Sequence, residues 1–376
     1  MSLIHRVPLL LVRLARSWLP PDLARWGEAA EAELRTTGPT TQSWLFAVAF
    51  VGWALREAAG VAAPSRHRAI GLSEDARAMT RPPLFAPRAF AGLCGLAAVI
   101  LGLIYMAMSD APPAYLLINA GAAVFGVLAV AFVALALKRG HLGAGPLSLA
   151  LGVSLLAVSQ WGIAADGVTR WVSIGPLAIQ PGLIIAPLAA VLFARSPGPW
   201  SLMGIAVVAM ALAFQPDRGT AGAVAAGMMA LALVRPSGLT RLAAVAAAAG
   251  FAVTLVRPDA SPAMPFVDQI LFTSFQNPAA GVAVLLGAGL LVLPALGTGR
   301  DQDTRVVFGA VWVGLIVAAA LGNYPTPLVG YGGSAIIGYF LSLIAFPRQD
   351  RSLCNVADHD VPRPEGTSGL LLVTTP

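Results

Sequence analysis

The sequence predicts an all-α, polytopic membrane protein with about ten transmembrane helices, and three observations carry that prediction. Of the 376 residues, 57% are hydrophobic and only 11% charged, against about a quarter charged in an ordinary soluble domain. Ten apolar runs lie near 88–108, 115–137, 143–165, 178–194, 199–214, 219–234, 242–256, 279–298, 306–322 and 330–346, most of them close to the ~17–20 residues that a spanning helix needs. Pro, Gly and charged residues gather between these runs, where a helix must stop.

Along the chain, residues 1–87 form a prefix rich in Arg and Glu. Its opening, "MSLIHRVPLLLVRLARSWL", reads as a basic amphipathic helix lying on the anionic inner leaflet, or equally as a leader whose charges only set orientation. The first apolar run is short, carries Arg6, Arg13 and Arg16 and lacks a small-residue cleavage site, so no secretory signal is expected. The run from Ser43 to Leu55 has an apolar core of about 13 residues before Arg56 and Glu57, below spanning length. It is expected to be an interfacial or re-entrant helix. Residues 88–347 hold the ten spans; those at 199–214, 219–234 and 242–256 are short, but Pro or a charge bounds each and their neighbours force alternation. The stretch 348–376, of mixed charge with Pro and Gly, is expected to be a disordered cytoplasmic tail.

Orientation follows from Lys and Arg. With the N-terminus inside, the inner loops hold Lys138, Arg139, Arg195, Arg235, Arg241, Arg300, Arg305, Arg348 and Arg351, while the outer loops hold Arg170, Arg218 and Arg257. Nine against three places both termini in the cytoplasm. The net charge of +6 therefore speaks of topology and does not suggest nucleic acid. Cys94 and Cys354 give no disulfide framework, and neither they nor the scattered His5, His67, His141 and His359 have metal-ligand spacing.

The unusual residues fall on the outer side. Asp217 and Arg218 interrupt "AMALAFQPDRGTAGAV" between the fifth and sixth spans. The other outer loops carry "DGVTRWVSIGPLAIQPG", "RPDASPAMPFVDQILFTSFQNP" and "GNYPTPLVGYGG". Ionisable groups at the edge of a helical bundle are costly unless paired or hydrated, so they mark an outward-facing cavity. Asp217 can also be read as a helix cap. Gly332, Gly333 and Ser334, just before a helix, could offer N–H groups to an anion.

Three stretches carry a family resemblance. "GVTRWVSIGPLAIQP" (Gly167 to Pro181) resembles the Gly-x-x-Arg-Trp-x-x-x-Gly…Gln-Pro segment of the SEDS family of shape, elongation, division and sporulation proteins. "QPDRGTA" (Gln215 to Ala221) resembles that family's Gln-Pro-Asp-x-Gly-Thr-Ala, and "PTPLVGYGGSA" (Pro325 to Ala335) is similar to its Pro-x-Pro-Phe-x-Ser-Tyr-Gly-Gly-Ser ending. They occur in the family's order at the boundaries of the ten runs, and the resemblance covers about residues 88–347.

The resemblance implies a SEDS-like bundle in the bacterial cytoplasmic membrane. It also implies a peptidoglycan glycosyltransferase that polymerises lipid II on the outer face, in cell division or cell-shape maintenance, beside a class B penicillin-binding protein. The family's essential aspartate, in a segment like His-Thr-Asp-Phe-Ile-Phe-Ala, corresponds to Asp268 in "FVDQILF". A carboxylate there could deprotonate an attacking sugar hydroxyl, while cations stabilise the departing diphosphate. The expected substrate-binding residues are Arg170, Trp171, Gln180, Asp217, Arg218, Tyr331, Gly332, Gly333 and Ser334. The guanidiniums would hold phosphate oxygens, and Trp171 would stack on a sugar or isoprenoid or sit in the interfacial belt. A divalent cation is a conceivable cofactor, with Asp110, Asp166, Asp217, Asp259 and Asp268 as the outer carboxylates.

The chain also departs from the family. Gly182, Leu183 and Ala186 stand where the pattern has Ser, Glu and a Lys one turn on. Phe266 and Val267 replace His-Thr, and Gln276 and Asn277 replace a Glu-Glu pair, keeping hydrogen-bonding shape without charge. Two alternatives therefore stand beside the polymerase. One is an inactive scaffold or regulator that binds lipid-linked precursor or a penicillin-binding protein; the other is a flippase for that precursor.

Overall fold

The computed structural model describes residues 87–139, 143–165, 168–175, 177–257, 262–297 and 301–347, together with residues 23–36 and scattered positions between Leu9 and Ala54. The tail from residue 348, expected to be disordered, lies outside the described residues, as do Asp166 and Asp259.

Among the described residues the chain forms ten apolar helices, one at each predicted run. After a short N-terminal helix α1 (Ala24–Thr36), these are α2 (Pro87–Met108), α3 (Pro113–Arg139), α4 (Ala144–Trp161), α5 (Pro181–Arg195), α6 (Pro199–Phe214), α7 (Arg218–Val234) and α8 (Gly238–Val256). A four-residue helix α9 (Ile270–Thr273) intervenes before α10 (Pro278–Val292), α11 (Gln302–Leu321) and α12 (Gly333–Ser342). Six of the ten are long and apolar enough to cross a membrane, α10 together with its 3-10 extension to Leu296; α5, α6, α7 and α12 are shorter. This is a multi-pass, all-α membrane fold.

Pro at the first helical position starts α2, α3, α5, α6 and α10, where its missing N–H costs nothing and its fixed φ suits a helix. Between α4 and α5 the expected outer loop, with the last residues of one run and the first of the next, forms a small antiparallel sheet, β1 (Ile163–Ala165), β2 (Val168–Ile174) and β3 (Leu177–Ile179), in the order β1-β2-β3. The β-branched residues Val168, Thr169, Val172 and Ile174 favour the strand, and Gly175 at φ 59° supplies the turn.

Helix α5 is the axis of the bundle. Twelve of its residues, Gly182, Leu183 and Ile185 to Ala194, are buried, and α4, α6, α7, α11 and α12 all pack against it. A helix apolar all round belongs in such a place. Against it, Phe308 and Trp312 of α11 meet Tyr339 of α12 with ring centroids 5.3 and 5.1 Å apart, and the Tyr339 hydroxyl donates to the Ala91 carbonyl of α2 at 2.9 Å.

Side chain to backbone bonds tie each end of the bundle. At one end Arg88 donates to the Phe346 carbonyl at 2.7 Å and Arg195 to that of Ala345 at 3.1 Å, cations placed where carbonyls accumulate after α12. Arg235 pairs with Asp303 at 3.2 Å on the same side. The opposite end carries the sheet and the three motif loops.

The described residues of the N-terminal segment pack on one another. Leu9, Val12 and Ala15 are buried against Ala30 and Leu34 of α1 and against Ala47, Phe50 and Ala54 of the run expected to be interfacial or re-entrant. Arg13 and Arg35 both reach Glu31, at 2.7 and 2.6 Å, and Arg16 reaches Glu28 at 2.7 Å. The apolar face meets protein because α1 supplies both a complementary stripe and the acids.

Helices α12 and α5 approach closely at Gly338, where a Cβ would collide with the backbone at Leu183 and Ile184 of α5. Small residues at such crossings let membrane helices pack backbone to backbone. Gly338→Ala should lower stability by about 3 kcal/mol or more, read as the thermal midpoint of detergent-purified protein. An unchanged midpoint would mean that the two helices are not in contact there.

Candidate functional site

Asp268 lies in the loop between α8 and α9, and its backbone explains its setting. The carboxylate Oδ2 accepts from the Met264 N–H at 2.9 Å while the Asp268 N–H donates to the Met264 carbonyl at 3.0 Å, closing a compact turn. Phe266 and Gln269 on either side hold φ of 63° and 58°, a left-handed conformation that costs a non-glycine residue of order 1 kcal/mol. The side chain is 9% exposed. Burial pushes its pKa above the ordinary carboxyl range, while the Met264 N–H and the positive charge of Arg170 pull the other way.

Arg170 comes from β2, a strand that packs on α4 and α5. It is 4% exposed, with its guanidinium carbon 5.3 Å from the centroid of the half-buried Trp171 ring. The fold thus brings an acid and a base ninety-eight positions apart in sequence within electrostatic reach.

A second cluster joins the three motifs directly. Gln180, just before α5, donates from Nε2 to Asp217 Oδ2 at 3.0 Å, and its N–H donates to Ser334 Oγ at 2.9 Å. Asp217 is 1% exposed and caps α7, its Oδ1 accepting from the Thr220 N–H at 3.1 Å. Of the two readings of Asp217, the helix cap is what these bonds describe, with Gln180 as its second donor. Gly182 lets the Asp217 carboxyl pack close to the start of α5, since a Cβ there would sit only 3.2 Å from Asp217 Oδ2.

Arg218 is placed differently. Its Nη2 donates to the Arg257 carbonyl at 3.2 Å and the Thr254 carbonyl at 3.4 Å, at the end of α8, while Arg257 reaches Ala213 and Phe214 at the end of α6. Both guanidiniums serve helix C-termini. Arg218 also lines a cavity of about 840 Å³ whose walls include Phe251, Leu255, Val313 and Tyr324. Gln269, next to Asp268, sits at this cavity too and donates to Asn323 at 2.8 Å.

The glycine loop is occupied by protein contacts. The Gly332 N–H donates to Asn119 Oδ1 at 3.0 Å, and Ser334 accepts from Gln180, so these two groups are committed inside the protein. Gly333 begins α12. Tyr331 stacks on Tyr115 of α3 at 3.8 Å and 9°; burial, and secondarily Tyr115, raises its phenol pKa. Of the residues that depart from the family pattern, Leu183 and Ala186 are core. Asn277 caps α10, accepting from the Ala279 N–H at 3.1 Å.

Asn119, Tyr115, Gln215 and Thr220 escaped the sequence reading as site residues. A lone amide in the apolar run "AYLLINAGAAV" was the available signal for Asn119, because a polar group in a span is expensive without a partner.

The chain matches no known family profile and no curated protein. Solved structures do match it. The crystal structure of the rod shape determining protein RodA of Thermus thermophilus is 21% identical, with a TM-score of 0.51 over 68% of this chain and 93% of that one. A mutant of the same protein is 22% identical, with a TM-score of 0.50 over 68% of this chain and 94% of that one. The fold is accordingly that of a polytopic, all-α membrane bundle. More particularly, it is a SEDS-like bundle of the kind seen in RodA.

Two outcomes follow for the site's energetics. Because the folded protein holds Asp268 at a raised pKa, ionisation costs stability as pH rises from the unfolded value through the folded one. Asp268→Asn should therefore raise the thermal midpoint at pH 7 to 8, with the gain vanishing below about pH 4 where both forms are neutral. Gln180→Leu removes a donor from a buried carboxylate and should cost about 1–3 kcal/mol in the same melting assay; a neutral effect would show Asp217 to be met by water.

Proposed function

We propose that this protein is a glycosyltransferase acting on a lipid-linked saccharide at the outer face of the bacterial cytoplasmic membrane, with both termini cytoplasmic. The polymerisation of lipid II into glycan is its reaction. The observation that carries this reading is Asp268, a buried carboxyl held by the Met264 N–H in a strained turn within reach of the Arg170 charge.

The chemistry follows from that pair. An acceptor sugar hydroxyl attacks the anomeric carbon of the donor, the bond from that carbon to the diphosphate oxygen breaks, and the hydroxyl proton passes to Asp268. A carboxyl with a raised pKa is a better proton acceptor than an ordinary one. Arg170 stabilises the negative charge that grows on the departing polyprenyl diphosphate. The apolar cavity between α7, α8 and α11, with Arg218 at its rim, suits the first units of a polyprenyl chain. A class B penicillin-binding protein is the proposed partner that cross-links the product.

The scaffold reading rests on a specific observation of its own. Leu183 and Ala186 fill the core at positions where the SEDS pattern has an acid and a base, so a protein that binds the precursor without polymerising it is the second reading.

Labelled lipid II offered to the purified protein, alone and with co-expressed penicillin-binding proteins, separates the two. Wild type should make polymer, and Asp268→Asn should lose about 100-fold or more in rate. The acid limb of the wild-type rate should lie above the ordinary carboxyl range, since the base must be ionised. Lipid II bound but never polymerised by wild type would leave the scaffold reading.

A further inference from the structure

We infer that Asn119 is the positioning residue for Asp268, acting through the glycine loop; the inference rests on the catalytic reading of Asp268 only for its kinetic consequence. Asn119 is fully buried in α3, at 0% exposure. Its amide spans the loop with both ends: Nδ2 donates to the Gly330 carbonyl at 2.8 Å, and Oδ1 accepts from the Gly332 N–H at 3.0 Å. The partners are a carbonyl and an N–H, so they fix which end of the amide faces which.

The loop held in this way carries the Asp268 turn. The Tyr331 N–H, between the two clamped residues, donates to the Phe266 carbonyl at 2.6 Å, and the Thr326 N–H donates to the Val267 carbonyl at 3.0 Å. Two successive residues before Asp268 are thereby bonded to a loop that is anchored to a spanning helix. Gly332 holds φ at 152° with open space around it, so its conformation comes from the backbone and its bond to Asn119. Tyr115, one turn earlier on α3, stacks on Tyr331 and meets Phe266 edge-on at 6.2 Å. Helix α3 thus grips the loop and the turn from the same face. Remove the amide, and a buried carbonyl and a half-buried N–H lose their partners together, which favours local opening.

The test needs no enzymatic activity. In a background of Cys94→Ala and Cys354→Ser, Asp268→Cys reports accessibility to a charged methanethiosulfonate, and Ser237→Cys at the far end of the bundle is the control. Asn119→Leu should raise the modification rate at position 268 about tenfold or more, as expected for a loop that has lost one buried and one half-buried hydrogen bond, and leave position 237 unchanged. Asn119→Asp, which keeps the acceptor for Gly332 and loses the donor to Gly330, should give a smaller rise. An unchanged rate at 268, or an equal rise at both positions from general unfolding, would overturn the inference. Where polymer is made, Asn119→Leu should lower kcat at least about tenfold with little change in KM for lipid II; a change in KM alone would also overturn it. Absence of polymer from wild type would remove the catalytic reading and leave the accessibility result to stand by itself.

Discussion

Irregular backbone at the end of a membrane bundle must find its hydrogen-bond partners inside the protein or in a watery cavity. The segment between α11 and α12 is the place where this constraint acts most strongly, because Thr326 to Gly330 are almost wholly buried and none of them is helical. Its solution is a set of cross-links to other parts of the chain, with Asn119 on one side, the carbonyls of Phe266 and Val267 on another, and Ser334 joined to Gln180 at the start of α12. The loop that bears Asp268 is in turn built on this segment. Satisfying one stretch of backbone therefore positions the candidate chemistry.

Charge is distributed by the same economy. Most guanidiniums at the two ends of the bundle finish helices: Arg88 and Arg195 after α12, Arg218 after α8 and Arg257 after α6. Such placements use the partial negative charge of helix C-termini and need no ligand. Arg170 stands apart, since it projects from a strand and its charge acts on Asp268. Asp217 and Asp268 divide in the same manner. The first is a buried cap held by two donors, while the second is held by one, sits in a strained turn and has its acidity weakened by burial. Groups whose environment shifts their proton affinity in a cleft are the ones to suspect of chemistry.

Much of the fold was legible because the bilayer imposes a simple code of length and hydropathy. Each of the ten apolar runs between residues 88 and 347 holds a helix among the described residues, and Pro residues mark five of the starts. The sheet between α4 and α5 was hidden, since "DGVTRWVSIGP" was read as an outer loop and its edges, Ile163–Ala165 and residues 178–179, as the ends of two spans. Only the pattern of β-branched residues around Gly175 hints at strands. At the site, sequence motifs named Gln180, Asp217 and Ser334 but gave no sign that they touch. They also suggested that Arg218 and Arg170 were equivalent, whereas three-dimensional packing sends one to helix ends and the other towards Asp268. Asn119 is the sharpest case, because its role depends on residues more than two hundred positions away.

The account turns on Arg170 and Asp268 sharing one site for a lipid diphosphate, and binding tests that most directly. Undecaprenyl diphosphate would be titrated into the protein in nanodiscs, comparing wild type, Arg170→Gln and Asp268→Asn. The account predicts that Arg170→Gln weakens binding about tenfold or more, the loss of a buried charge facing a phosphate, while Asp268→Asn binds as tightly as wild type or more so. Equal affinity in wild type and Arg170→Gln would contradict it.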